Sequence, residues 1–149
     1  MNIKQICNRN VVVVGLNDSI QEVAQRMREY RVGTAVVVND DMPWTTPVGI
    51  INDHDIVSEV LAEGGNPNAY KVKDIMSNEI LTVQEEDDIL EALPLLHKKG
   101  MKRIPVVNRA NILTGILALE DLVDLVTQNI RTFSALTLRP LQYETVYRV

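Results

Sequence analysis

Cysteine is nearly absent from this sequence. Cys7 is the only one among 149 residues, so neither an intrachain disulfide framework nor a cysteine-rich zinc site can form. That usage fits a reducing cytoplasm. Aromatics make up 4% of the chain, with one Phe and one Trp, too few for a platform that stacks single-stranded bases. The two histidines, His54 and His97, are far apart in sequence. His54 lies in Asn52-Asp53-His54-Asp55, but successive residues at a helix start do not converge on one ion, so no metal is expected. No apolar run approaches the ~18 residues of a membrane span. Met1-Asn2-Ile3-Lys4-Gln5 lacks the apolar stretch of a signal peptide, so a cytoplasmic location is expected. Positive charge is also scarce. Fifteen Lys and Arg against twenty Asp and Glu leave a net charge of -5, which repels a phosphate backbone and argues against nucleic acid as a partner. No glycine pattern follows a strand and opens a helix, and Gly64-Gly65 is an isolated pair. No nucleophile, base and orienting group assemble into a catalytic set, so an enzyme is not expected.

What is present is an ordinary globular composition, 46% hydrophobic and 23% charged, at a length that buries a core without staples. Within it the chain repeats itself. Lys4 and Lys73 are 69 positions apart, as are Ile6 and Ile75, Val14 and Val83, Asp18 and Asp87, Ile20 and Ile89, and Val37 and Val106. The offset then becomes 66, at Gly49 and Gly115, Ile50 and Ile116, Asp55 and Asp121, and Val57 and Val123. The first copy therefore carries three extra residues between Asn39 and Gly49. They fall in a stretch with Pro43 and Pro47, where a regular strand is disfavoured and a longer hairpin loop is expected.

Each copy reads as β-α-β-β-α. Residues 11–14 and 80–83 are short β-branched runs that suit strands. Asp18-Ser19 and Asp87-Asp88 follow, with side chains that accept hydrogen bonds from the free N–H groups of a helix start. Ile20, Val23, Ala24 and Met27 recur at helical spacing, as do Ile89, Ala92, Leu93 and Leu96. Pro94 predicts a kink or late start in the second of these helices. Residues 32–38 and 48–51 form one predicted hairpin, and 104–107 and 113–117 the other. Helices are expected over 53–63 and 119–130. The predicted organisation is a first repeat at 1–64, a linker at 65–71, a second repeat at 72–127 and an apolar tail at 128–149.

The ordered set resembles a pair of cystathionine β-synthase (CBS) domains. It is carried by Val72-Lys73-Asp74-Ile75-Met76, Ile80-Leu81-Thr82-Val83, Arg103-Ile104-Pro105-Val106-Val107 and Gly115-Ile116-Leu117-Ala118-Leu119-Glu120-Asp121-Leu122. The first copy answers with Ile3-Lys4-Gln5-Ile6-Cys7, 11–14, 34–38 and Gly49-Ile50-Ile51-Asn52-Asp53-His54-Asp55-Ile56. The chain is similar to stand-alone bacterial pairs of this family. The resemblance implies an α+β fold of tandem repeats with pseudo-twofold symmetry and two clefts. It implies a regulatory rather than catalytic role, with no obligatory cofactor. Its ligands would be adenosyl compounds such as AMP, ADP, ATP, S-adenosylmethionine or NAD. It also implies a homodimer that signals to a protein effector by rearranging.

The same resemblance places Asp55 and Asp121 at the ribose, where a carboxylate at a helix start accepts hydroxyl hydrogen bonds. Asn52 takes a position often held by Ser or Thr. Ala118, its counterpart, has no side-chain donor or acceptor, which weakens the cleft of Asp121. Lys102 and Arg103 would face phosphates. Gly33 and Thr34, at the matching positions, would offer close backbone approach and a hydroxyl. Ile50, Ile116, Val12 and Leu81 would wall the adenine, and each also suits a plain core position. Cys7 matches Met76 and is expected to be a small buried hydrophobe. His97 matches Arg28 and reads as a surface residue.

The tail holds Phe133, Leu136, Leu138, Leu141, Tyr143, Val146 and Tyr147, too apolar for disorder. Pro140 is expected to break any long helix, and 136–138 and 144–149 read as strand-like. The tail is therefore expected to pack on its own module or across a dimer. The competing reading of the whole chain is a CBS module that binds no ligand and serves protein interaction.

Overall fold

The computed structural model describes the backbone of residues 1–39, 41, 45–99 and 101–148, and the side chains of these residues other than 98, 99 and 137–148. Each repeat builds a three-stranded sheet. In the first, β1 (Val13–Gly15) runs parallel to β2 (Thr34–Val38), which pairs antiparallel with β3 (Pro47–Asn52). In the second, β4 (Val83–Gln84), β5 (Arg103–Val107) and β6 (Leu113–Ala118) repeat that order and those directions. Pro47, expected in a loop, is the first residue of β3, a position where a missing N–H costs the ladder little. The rest of the expected insert, residues 40 and 42–44, lies outside the described residues.

The helices start where the sequence supplies caps. Ser19 accepts a hydrogen bond from the Glu22 N–H (3.1 Å), and Glu22 accepts one from the Ser19 N–H (3.0 Å), opening α1 (Ile20–Tyr30) with a capping box. Asp88 accepts from the Leu90 N–H (2.9 Å) ahead of α4 (Ile89–Lys99). That start precedes Pro94, so the late start does not occur, and Pro94 lies inside the helix. After β3, α2 (Asp53–Ile56) widens into a π-helical stretch over Val57–Leu61. The short helix α3 (Val72–Ile75) opens the second copy.

Side chains alternate across each sheet. Ala35, Val37 and Ile51 join a core with Ile20, Val23 and Val60, while Thr34 and Ile50 take the opposite face and line the cleft described below. The second core gathers Ile104, Val106 and Leu117 with Ile89, Leu96 and Leu122.

The opening segment of each copy is exchanged. Ile3 belongs to the second core, and Val72 to the first. The Lys4 N–H donates to the Glu85 carbonyl (2.9 Å), and the Lys73 N–H to the Leu16 carbonyl (3.0 Å). Asn8 and Ile116 exchange backbone hydrogen bonds (2.9 and 2.8 Å), as Ser77 and Ile50 do (3.1 and 3.4 Å). These matched pairs express the pseudo-twofold relation. They also explain Gly49 and Gly115. A Cβ on either would lie 2.9 Å from the crossing backbone carbonyl oxygen, of Ser77 or of Asn8.

The tail differs from expectation. α5 (Leu119–Arg148) is one helix, continuing past Pro140 and through 136–138 and 144–148. Extending an anchored helix adds a hydrogen bond with each residue fixed, whereas extended segments would need a partner strand. Ile130 and Leu136 are 60% and 70% exposed. The side chains of Leu138, Leu141, Tyr143, Val146 and Tyr147 lie outside the described residues, as do those of Lys98 and Lys99.

Candidate functional site

At the carboxyl end of β3 the chain turns directly into α2. The Asp53 N–H donates to the Gly33 carbonyl (2.9 Å), tying the helix start to the segment that leads into β2. Asp55 Oδ2 accepts a hydrogen bond from the Asn52 N–H (2.8 Å), which fixes the carboxylate at the first helical turn. Thr34 Oγ1 donates to Asn52 Oδ1 (2.9 Å), leaving the Asn52 amide nitrogen as the group with free donors.

These residues floor a cleft of about 790 Å³ between the repeats. That volume lies in the range of about 300–1,000 Å³ typical of small-molecule sites. The first repeat contributes Gly33, Thr34, Ile50, Asn52 and Asp55, and the second contributes Leu81, Lys102 and Arg103. Two apolar side chains, an amide, a carboxylate and two cations therefore converge from separate elements. Lys102 is exposed and Arg103 half-buried. The exchange of opening segments brings Ser77, Glu79 and Ile80 to the same cleft, since Ser77 is bridged to Ile50.

Three of the residues expected at the two clefts do not line this one. Asp121 and Ile116 occupy the pseudo-symmetric position in the second repeat, and Val12 packs against the first core. Gly33 lines the cleft, but the space of its missing side chain is taken. A Cβ there would lie 2.8 Å from Asp53 Oδ2, so the glycine admits a carboxylate of the chain itself.

Asp53, His54, Ser77, Glu79, Ile80 and Met101 also line the cleft and were not expected there. Their signal is topological. Only the segment exchange brings 77–80 against β3, and Met101 follows from its position just ahead of Lys102. Among the described residues, no group of three or more His, Cys, Asp or Glu side chains is placed to hold a metal ion. No described helix is long and apolar enough to cross a membrane.

Cys7 lies outside the cleft, with its sulfur at 2.8 Å from where a Gly115 Cβ would be. Burial raises its thiol pKa above the ordinary value, more than the nearby Arg9 lowers it.

The second repeat differs at the matching spot. Leu119 N–H donates to the Lys102 carbonyl (2.8 Å), as Asp53 does to Gly33, and Glu120 stands where the first repeat has His54. Arg103 Nη2 lies 3.5 Å from Glu120 Oε1.

The protein YlbB of Bacillus subtilis is 33% identical over 135 residues, covering 91% of this chain and 88% of that protein. The protein MK0525 of Methanopyrus kandleri is 32% identical over 123 residues, 83% of this chain, and the chain spans only 61% of that relative's length. Among solved structures, the CBS domain protein PAE2072 from Pyrobaculum aerophilum, complexed with AMP, is 25% identical with a TM-score of 0.74, covering 85% of this chain and 99% of that one. The family model for the CBS domain matches residues 3–62 and 72–128. With both repeats matched and the paired α+β architecture in place, the chain belongs to the CBS domain family, as a tandem pair.

Proposed function

We propose that the chain is a regulatory module that binds an adenine nucleotide in the cleft between its repeats. The observation that carries this reading is the convergence in one cleft of Asp55, Asn52, Ile50 and Leu81 with Lys102 and Arg103. Asp55 Oδ1, the oxygen not taken by the Asn52 N–H, accepts the ribose hydroxyls. Ile50 and Leu81 sandwich the adenine, and Lys102 and Arg103 meet the phosphate, Arg103 through paired donors. The AMP complex of PAE2072 supports an adenosyl ligand for this fold. ADP, ATP, NAD and S-adenosylmethionine share the adenosine part and differ at the charged end.

The cleft of Asp55 is the stronger of the two. The Asp121 position lacks the amide that Asn52 supplies and has Ala118 in its place, a loss of about 1 kcal/mol for one neutral hydrogen bond. Signalling follows from differential affinity. The ligand favours the arrangement of repeats, or of two chains in a cytoplasmic homodimer, that it binds best, and a protein effector reads the change. The module performs no catalysis in this reading.

A titration of the purified chain with AMP, ADP, ATP, NAD and S-adenosylmethionine by calorimetry tests it. Binding of at least one ligand, lost in Asp55→Ala, supports the proposal. No heat with any of them at millimolar concentration sinks it and favours the ligand-free interaction module. That second reading has one observation of its own, the exposed apolar row Val123, Val126, Ile130 and Phe133 along α5.

A further inference from the structure

Arg103 serves two places at once. It lines the cleft of Asp55, and its guanidinium pairs with Glu120 at 3.5 Å. Glu120 stands in the first turn of α5, the helix that continues for twenty residues past the family match at 128. The adjacent Lys102 is tied to the same turn, since its carbonyl accepts from the Leu119 N–H. Both basic residues of the cleft are thus joined to the start of the C-terminal helix, Arg103 through its side chain and Lys102 through its backbone. The first repeat has the matching backbone bond, from the Asp53 N–H to the Gly33 carbonyl, but its uncharged Gly33-Thr34 offers no cation to the residue at the place of Glu120, His54.

We propose that Glu120 competes with the ligand's phosphate for Arg103, and so couples occupancy of the cleft to α5. This rests on the nucleotide reading above. The pair is held loosely enough to exchange, because both side chains reach solvent: 37% of Arg103 and 61% of Glu120 is exposed. A phosphate accepts two parallel hydrogen bonds from a guanidinium and outcompetes a single long contact. An anion bound at Arg103 releases Glu120, whose carboxylate is then repelled by it. By linkage, anything that draws Glu120 away from Arg103 tightens phosphate binding by the same factor. Glu120 is a positioning residue here: it acts on the ligand only through Arg103 and through its charge.

The test compares wild type, Glu120→Gln and, as a charge-matched control, Glu29→Gln on the exposed side of α1. Each is titrated calorimetrically with AMP, with ATP and with adenosine. The substitution at 120 is expected to tighten AMP or ATP about two- to fivefold, the worth of an exposed ion pair. It is expected to leave adenosine unchanged, and the gain should shrink at high salt. Glu29→Gln should bind like wild type. Equal nucleotide affinity for wild type and Glu120→Gln, or an equal gain for adenosine, overturns the competition while leaving the nucleotide site standing. Wild-type protein that takes up none of the three overturns both.

Discussion

Thr34 and Asn52 are joined across the floor of the cleft, hydroxyl to amide oxygen, at 2.9 Å. Thr34 is 6% exposed, and its partner begins the turn into α2. The bond therefore belongs both to the stability of the first sheet and to the aim of the Asn52 donors. Thr34→Val keeps the shape and removes the donor, leaving Asn52 Oδ1 without its partner. Urea unfolding should show a loss of about 1–2 kcal/mol. Nucleotide titration should show weaker binding. Unchanged affinity beside lowered stability would mean that Asn52 takes no part in the site.

Asp55→Ala removes the proposed ribose acceptor. Hydrogen bonds to charged groups contribute about 1.5–3 kcal/mol, so affinity should fall about ten- to a hundredfold. Asp121→Ala should leave that affinity within twofold, because Asp121 does not line this cleft. Calorimetric titration of both variants separates the two positions. The reverse order would transfer the site to the second repeat.

Gly49→Ala and Gly115→Ala both place a methyl group against the crossing backbone of the other copy, with the carbonyl oxygen at 2.9 Å. Overpacking of this kind costs about 1–3 kcal/mol. Thermal unfolding should fall for both. Hydrogen exchange should quicken at Ser77 in the first variant and at Asn8 in the second, since those amides donate across the junction.

Cys7 should be a poor nucleophile at neutral pH. Burial raises its pKa, so the thiol stays protonated in the folded chain where an unfolded one begins to ionise. The sign for stability follows. Below the ordinary thiol pKa of about 8.5 both states are protonated and the contribution is fully present. It is lost as pH rises through the folded value. Alkylation by iodoacetamide should reach half its maximal rate at a higher pH in native protein than in urea. Identical profiles would refute the shift.

Ile130→Glu adds a charge where the side chain is 60% exposed, so the fold should lose less than about 0.5 kcal/mol. If two chains pair through α5, the variant should elute as a monomer in light-scattering chromatography where wild type is a dimer. A wild-type dimer that survives the substitution would move the interface away from this row.

The repeat was the most legible feature, because residues at two fixed offsets carry the same role twice. Val14 with Val83 and Ile20 with Ile89 are buried in corresponding cores. Asp55 was legible through its match to Asp121, whereas Asn52, Lys102 and Arg103, whose counterparts differ, were legible only through the family resemblance. What remained hidden was which copy each opening segment serves. Nothing local in Ile3-Lys4-Gln5-Ile6-Cys7 says that its partner strand lies more than a hundred residues away at Ile116. That choice is made by the tertiary packing of Ile3 and Val72, and Ser77 and Glu79 at the cleft depend on it. The long α5 was hidden because Pro140 and a β-branched content outweigh helical signals when residues are read one at a time.

The exchanged segments have a consequence for how such a chain can be divided. A single copy, cut at the loop around Pro67, would keep its sheet and lose the piece that closes it, while carrying a piece made to close another. It would be completed only by a second molecule, each lending its first residues to the other. Each half alone would thus be an obligate pair, and the join between the copies supplies both partners within one polypeptide.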